Sequence, residues 1–142
     1  MKKKAEKQGI NDVVIASTTG FTAKKAVDVF KGMGVKLTFV GTSKNRFPGD
    51  LTEELKEKGY NVCFSHEVSY DYPHLIQTAY RRLSEGVKVA VEIAMIAAQE
   101  GYVSTDKEVV SMGKWDTALI IKPSTSDRFS ELKVVELICK PR

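Results

Sequence analysis

The stretch VVIASTTGFTAKKAVDVF, residues 13–30, changes character twice along its length. Residues 13–16 form a continuous apolar run, which is typical of a strand buried on both faces of a sheet. From Thr22 onward, apolar residues recur with the spacing of an amphipathic helix. Those positions are Ala23, Ala26, Val27 and Phe30. Between strand and helix lies the polar turn Ser17-Thr18-Thr19-Gly20, so the stretch predicts a strand-turn-helix unit of an α/β fold.

The alternation of strands and helices continues after this unit. VKLTFVG (35–41) and YNVCFSH (60–66) read as strands. GDLTEELKEKG (49–59) reads as a helix in which Asp50 and Glu53 have the spacing of a capping box. Right-handed crossovers would place the three strands in one parallel sheet with helices on its faces.

The second half predicts two helices and three more strands. A helix over 74–83 is expected to end before Gly86, and a more deeply buried helix runs over 87–101. The apolar side of the first helix is Leu75, Ala79 and Leu83. The strands are KEVVSMG (107–113), TALIIKP (117–123) and LKVVELICKP (132–141). The expected fold is one α/β domain over residues 1–142, a three-layer, mostly parallel Rossmann-like sheet with helices on both faces and mixed or antiparallel last strands.

Composition narrows the class of protein. The chain has 142 residues, 42% of them hydrophobic, and a formal net charge of +4. The lysines after Met1 lack the apolar run of a secretory signal, and no stretch reaches the ~18 apolar residues of a membrane span. No Lys/Arg cluster recurs with interleaved aromatic residues. We therefore expect a cytoplasmic protein without nucleic-acid or membrane partners.

The reactive residue types form no catalytic or metal motif. Cys63 and Cys139 lie in strand-like runs without CxxC spacing, so they form either a disulfide or, as we favour, two buried structural thiols. No Ser/His/Asp or Cys/His set stands out, and His74 beside Pro73 is given no role. The sequence favours binding over catalysis.

The first turn is a candidate anion site. It follows a strand and precedes a helix, whose first backbone N–H groups lack partners and carry the positive end of the helix dipole. The hydroxyls of Ser17, Thr18, Thr19 and Thr22 would add donors, and Gly20 would let the backbone approach a phosphate, so Gly20→Val is expected to fill the site. Alternatively, Thr19 or Thr22 only caps the helix and Gly20 only turns the chain.

Polar residues follow other strands and would meet the same edge of the sheet. They are Thr42 and Ser43, Ser65 and His66, and Gly113 and Lys114. His66 is either a ligand contact or acid/base group, or an ordinary surface residue, which is the commoner case.

Three residues near the predicted ligand crevice, Glu92, Asp116 and Trp115, have two readings each. Glu92 lies within the apolar segment 87–98, where it either accepts backbone N–H groups or pairs with a lysine, or faces the crevice and receives a ligand hydroxyl or amide. Asp116 and Thr117 follow a glycine turn. Asp116 either orders that turn or contacts the ligand. Trp115 either stacks on a planar ring or covers the sheet edge.

Three segments carry a family resemblance: VVIASTTGFTAKKA (13–26), VKVAVEIAMIAAQEGYV (87–103) and EVVSMGKWDTALIIKPS with LKVVELICKPR (108–124 and 132–142). With them the chain resembles an archaeal family of small stand-alone proteins related to the C-terminal α/β domain of pyruvate kinase. Compared with that family, GKWD (113–116) is a short turn.

The resemblance implies a pyruvate kinase C-terminal domain-like fold and a ligand. In pyruvate kinases the first turn holds the phosphate of a sugar-phosphate effector, and some stand-alone relatives hold flavin mononucleotide (FMN). We therefore expect a phosphorylated small molecule, FMN or a similar nucleotide, with its phosphate on residues 17–22. The ring or sugar is expected over Thr42, His66, Gly113 and Asp116. The alternatives are an enzyme using Glu92 or His66 as acid/base on a phosphorylated metabolite or through flavin, and a regulatory or homo-oligomerisation module.

Overall fold

The computed structural model of the chain describes residues 9–114 and 116–142. The expectations about Trp115 and about the lysine-rich start lie outside the described residues. In chain order the elements are β1 (Asp12–Ala16), α1 (Phe21–Val29), β2 (Lys36–Gly41), α2 (Gly49–Glu57), β3 (Asn61–Phe64), α3 (His74–Arg81), α4 (Glu85–Gln99), β4 (Val109–Lys114), β5 (Thr117–Lys122) and β6 (Lys133–Cys139). Short 3-10 helices at Lys44–Arg46, Ser65–Glu67 and Ser126–Glu131 lie in the connections.

The six strands form one mixed sheet in the order β3-β2-β1-β4-β5-β6. β1 to β4 are parallel, whereas β5 and β6 run antiparallel to their neighbours. β1 lies between β2 and β4, and Val14 is in register with Thr38 on one side and Ser111 on the other. The chain thus builds outward from β1 to β3 and returns to the other side of β1 at β4. Open α/β sheets form their ligand crevices at such a reversal of strand order.

Alternating side chains of the strands build two cores, one on each face of the sheet. On β1, Val13 and Ile15 belong to the core that includes Ala23 of α1 and Leu51 of α2, whereas Val14 belongs to the core around α4. Helices therefore cover both faces, and the predicted three-layer Rossmann-like α/β fold is confirmed. Within the described residues, every helix is too short or too polar to cross a membrane.

The helix α1 buries the apolar stripe that its sequence predicts. Ala23 and Ala26 are buried within the helix, and Phe30, the residue after its end, is buried as well. The small alanine side chains face the sheet, and the lysines of the helix stay exposed. The spacing of apolar residues was therefore sufficient to orient this helix.

The predicted capping box of α2 is wrong. Pro48 is the N-cap and no side chain makes a cap hydrogen bond there. The carbonyl of Pro48 accepts the N–H of Thr52 at 3.1 Å, so the helix already begins before Asp50. Asp50 lies in the first turn, where a carboxylate interacts favourably with the helix dipole.

The boundary between α3 and α4 differs from the predicted one. α3 ends at Arg81, and the hydroxyl of Ser84 accepts the N–H of Val87 at 3.1 Å as the N-cap of α4. Gly86 therefore lies inside α4 and does not end a helix. A serine with extended backbone starts the new helix because its side chain satisfies a first-turn donor.

The apolar side predicted for α3 is also wrong. The side chains of Leu75 and Leu83 are 80% and 46% exposed. Ile76 and Tyr80, on another side of the helix, are the residues that pack against the core around α4. The helix is short, so several faces of it satisfy an apolar spacing and packing against α4 selects one of them.

The two cysteines differ in burial, which corrects the prediction of two buried thiols. Cys63 is buried in β3, whereas Cys139 is exposed in β6, and both are free. They cannot pair because β3 and β6 are the opposite edges of the sheet. Burial, assisted by the charge of Glu100, raises the pKa of the Cys63 thiol to about 12.

Candidate functional site

A cavity of about 810 Å³ opens at the carboxyl ends of the parallel strands, where the strand order reverses. Its volume is within the range of about 300–1,000 Å³ that is usual for small-molecule sites. It lies between the start of α1 and the side of α4. The lining residues are Ala16, Thr18, Thr19, Phe21, Thr22, Val40, Gly41, Thr42, Ser65, His66, Tyr70, Lys88, Val89, Glu92, Ile93, Ile96, Gly113, Lys114 and Asp116.

The start of α1 forms one wall of the cavity, and Ser17 fixes its shape. The Ser17 hydroxyl accepts the N–H of Ala23 at 3.1 Å, and the Ser17 N–H donates to the carbonyl of Val40 at 3.0 Å. Ser17 is only 3% exposed and lies outside the cavity. The residue that satisfies a first-turn donor is therefore Ser17, and neither Thr19 nor Thr22 serves as the cap.

Ser17 satisfies only one backbone donor of this turn, the N–H of Ala23, and other polar groups of the turn face the cavity. Thr18, Thr19 and Thr22 line it, and the first two are exposed. The described residues provide no acceptor for the backbone N–H groups of Phe21 and Thr22, the first two of α1. This wall therefore offers neutral hydrogen-bond donors and the positive end of a helix dipole.

Gly20 does not line the cavity. Its φ of 91° is in the left-handed region, and a Cβ at this position would lie 2.5 Å from Cδ2 of Leu51. The missing side chain thus makes room for Leu51 of α2. The expectation that Gly20→Val fills the site is wrong, since the added side chain would collide with Leu51.

At the ends of β2 and β3, the structure separates residues that the sequence grouped together. Thr42 lines the cavity, but the Ser43 hydroxyl accepts the N–H of Asn45 at 3.2 Å and caps a 3-10 helix instead. Ser65 and the exposed His66 line the cavity. The carbonyl of Thr42 accepts the backbone N–H of His66 at 3.1 Å and the hydroxyl of Ser65 at 3.3 Å, which joins the two strand ends.

The end of β4 meets α4 through glycines. Gly113 lies inside β4, within the predicted strand 107–113. A Cβ there would lie 1.9 Å from the carbonyl oxygen of Gly86 on α4, so the close approach requires a glycine. Thr117 is fully buried against Gly86 and is absent from the cavity. Lys114 and Asp116 are exposed at the cavity, and Asp116 also accepts the Thr117 hydroxyl at 3.2 Å.

α4 forms the opposite wall and carries a charged pair. Glu92 Oε1 lies 3.5 Å from Nζ of Lys88, one turn earlier, and Glu92 Oε2 accepts the hydroxyl of Tyr70 at 3.2 Å. The side chains of Lys88 and Glu92 are only 11% and 19% exposed, yet both line the cavity. Glu92 therefore pairs with a lysine, as the first reading expects, and it also borders the crevice; its contact with a ligand stays a prediction.

The surroundings hold this pair and its tyrosine in place. Burial, together with the charge and hydrogen bond of Glu92, raises the pKa of Tyr70 to about 12, so the folded protein favours the protonated phenol that donates to Glu92. The hydroxyl of Tyr72 donates to the carbonyl of Lys88 at 2.9 Å, and Nζ of Lys88 lies 5.9 Å from the ring of Tyr72. Burial and the charge of Glu92 also raise the pKa of Tyr72.

Sequence reasoning missed several residues of this cavity. Lys88 could have been found, since it stands four residues before Glu92, the spacing of a helical ion pair. Tyr70 comes from a loop whose path no local pattern specifies. Phe21, 58% exposed at the rim, stands where the predicted helix begins and gave no signal of its own.

The fold and the cavity define a Rossmann-like α/β domain with a crevice where the strand order reverses. Comparison of the sequence with models of known protein families finds no match. Among residues 9–114 and 116–142, no group of three or more His, Cys, Asp or Glu side chains is arranged to hold a metal ion.

Proposed function

We propose that this protein binds a phosphorylated small molecule in the cavity between α1 and α4, with FMN as the first candidate. The observation that carries the proposal is the open start of α1 at a cavity of about 810 Å³, located where the strand order reverses. A phosphate would accept the N–H groups of Phe21 and Thr22 together with neighbouring threonine hydroxyls. Such an arrangement is the common means by which α/β domains bind phosphate.

The start of α1 presents no negative charge of its own to an anionic ligand. Lys114, the last residue of β4, and Asp116 are both exposed at the cavity and offset each other, whereas α1 has no acidic residue in its first turn that would compete with an anion. The positive end of the α1 dipole attracts an anion. The phosphate is therefore expected on residues 18–22, with Ser17 as the residue that shapes the turn.

The rest of the cavity suits a flat, partly apolar group. Ala16, Phe21 and Val89 line the cavity and are at least partly exposed, so they provide apolar surface there. A planar ring attached to a phosphate would cover this surface and remove it from water. FMN combines these features, and the resemblance to stand-alone proteins that hold FMN makes it the ligand to test first.

The test places a negative charge where the phosphate is proposed to bind. Thr22→Glu adds a carboxylate at the second position of α1, which favours the helix but repels a phosphate. We expect the affinity for FMN, measured by titration of flavin fluorescence, to fall at least ~10-fold. Riboflavin, which lacks the phosphate, should bind weakly to both proteins.

Thr52→Glu is the matched control, because it makes the same substitution in α2, away from the cavity. It should leave FMN affinity unchanged. Equal affinities of the wild type for FMN and riboflavin, or unchanged FMN affinity in Thr22→Glu, would show that no phosphate binds at this turn.

A further inference from the structure

We infer that Lys88 and Glu92, positioned by Tyr70, recognise the ring of the bound ligand and select rings that carry adjacent N–H and C=O groups, as in a lactam or imide. The inference rests on the proposed function and extends it to the part of the ligand that is not phosphate. It assigns a role to an ion pair that the phosphate site does not use.

Lys88 and Glu92 lie where a ligand in the cavity would meet them. Lys88 and Glu92 are one turn apart on α4, so their side chains lie side by side on the same wall of the cavity. They therefore present a cationic donor next to an anionic acceptor, with 3.5 Å between Nζ and Oε1. A group that offers an acceptor beside a donor is complementary to this arrangement, and a lactam or imide edge has both within one planar unit.

The ammonium group of Lys88 and the carboxylate of Glu92 can each form further hydrogen bonds. An ammonium group has three donors and a carboxylate has about four acceptor positions. Within the described residues, the head group of Lys88 makes a hydrogen bond only to Glu92, and the carboxylate of Glu92 accepts only from Lys88 and Tyr70. Both groups keep capacity for a ligand at the cavity.

Tyr70 orients the carboxylate of Glu92. Its hydroxyl donates to Glu92 Oε2, the oxygen that Lys88 does not contact. A phenol is protonated at neutral pH, so this donor is always present there. Tyr70 therefore acts as a positioning residue, which leaves Glu92 Oε1 and the lysine as the pair that faces a ligand.

Stabilisation of the fold does not explain why an ion pair stands at this position. A largely buried ion pair costs desolvation energy, and an apolar pair of similar size often stabilises a fold as well or better. Val89, Ile93 and Ile96 on the same helix show that apolar residues fit this wall of the cavity. A charged pair among them is therefore better explained by recognition of a polar ring edge than by stability.

The experiment compares FMN with 3-methyl-FMN, in which a methyl group replaces the imide N–H and leaves the phosphate unchanged. The wild type should bind FMN about 10-fold or more tightly than 3-methyl-FMN, since a charge-assisted hydrogen bond is lost. Replacing both partners, Lys88→Met with Glu92→Leu, leaves no unpaired buried charge and should bring the ratio of the two affinities close to one.

A matched control removes another ion pair of the same spacing. Arg81 and Glu85 form an i,i+4 pair at 2.7 Å outside the cavity, so Arg81→Met with Glu85→Leu should keep the wild-type ratio. Because the measurement is a ratio of affinities for one protein, a partial loss of folded protein cannot imitate the effect.

The outcomes separate this inference from the proposed function. Equal binding of FMN and 3-methyl-FMN by the wild type, or an unchanged ratio in the Lys88/Glu92 variant, overturns the ring recognition but leaves the phosphate site intact if riboflavin still binds more weakly than FMN. Absence of FMN binding by the wild type overturns both.

Discussion

The two walls of the cavity present hydrogen-bonding groups in different ways. The α1 wall offers backbone N–H groups and threonine hydroxyls at an exposed rim. The α4 wall offers a charged pair, Lys88 and Glu92, with little exposure and with Tyr70 as a third partner. The first set of groups is fixed by the backbone of one turn, and the second depends on side chains from a helix and a distant loop.

This difference explains what each wall is suited to bind. Backbone donors at a helix start are neutral, keep their geometry at any pH and suit an anion that varies little between ligands. A shielded pair of opposite charges in a less polar environment interacts more strongly and more selectively with one arrangement of ligand atoms. We therefore propose that the α1 wall provides affinity for a phosphate and that the α4 wall selects among ring edges.

The substitution with the largest expected effect changes the position of the α4 wall relative to the rest of the cavity. In Gly113→Ala, the new Cβ would lie 1.9 Å from the carbonyl oxygen of Gly86, so β4 and α4 must separate. We expect the free energy of unfolding to fall by about 3 kcal/mol in a urea titration, and FMN affinity to fall with it.

Gly49→Ala is the control for this prediction. A Cβ on Gly49, at the start of α2, would meet no atom within 4 Å. Its stability should stay within about 0.5 kcal/mol of the wild type. A Gly113→Ala protein as stable as Gly49→Ala would mean that β4 and α4 do not approach as closely as described.

A smaller effect concerns the α4 wall alone and depends on pH. The pKa of Tyr70 is raised in the folded protein from its ordinary 10.0 to about 12, so the folded state favours the protonated phenol. Its stabilising contribution is complete below pH 10 and is lost as the pH rises through about 12. Between pH 10 and about 12, the free energy of unfolding of Tyr70→Phe should therefore decrease by less than that of the wild type.

The measurement is chemical denaturation at a series of alkaline pH values. Tyr72 and Cys63 also have raised pKa values, so a decline should remain in Tyr70→Phe but with a smaller slope. Identical slopes for the two proteins would indicate that Tyr70 is not held against Glu92.

Local pattern was sufficient to predict the fold and the α1 wall. A buried apolar run followed by a 3.6-residue period located β1 and α1, and the rule that parallel strands end at one edge brought Thr42, His66 and Gly113 together. These predictions succeeded because they depend on backbone geometry, which nearby sequence determines.

The same reasoning failed where a role depends on a tertiary neighbour. Gly20 was expected to serve a ligand, yet it does not line the cavity and the neighbour that requires the glycine is Leu51. Gly113 does line the cavity, but its close approach to Gly86 was not predicted. Thr42 and Ser43 are adjacent in sequence, but only one side chain reaches the cavity. No periodicity specifies which neighbour a residue will meet.

Amide chemical shifts recorded during a titration report whether the first backbone amides of α1 bind the phosphate. In ¹H–¹⁵N spectra, added FMN should shift the Phe21 and Thr22 amides of the wild type strongly, and riboflavin should shift them much less. This difference should disappear in Thr22→Glu and persist in Thr52→Glu. Saturating FMN that leaves the Phe21 and Thr22 amides unmoved would contradict phosphate binding by these amides.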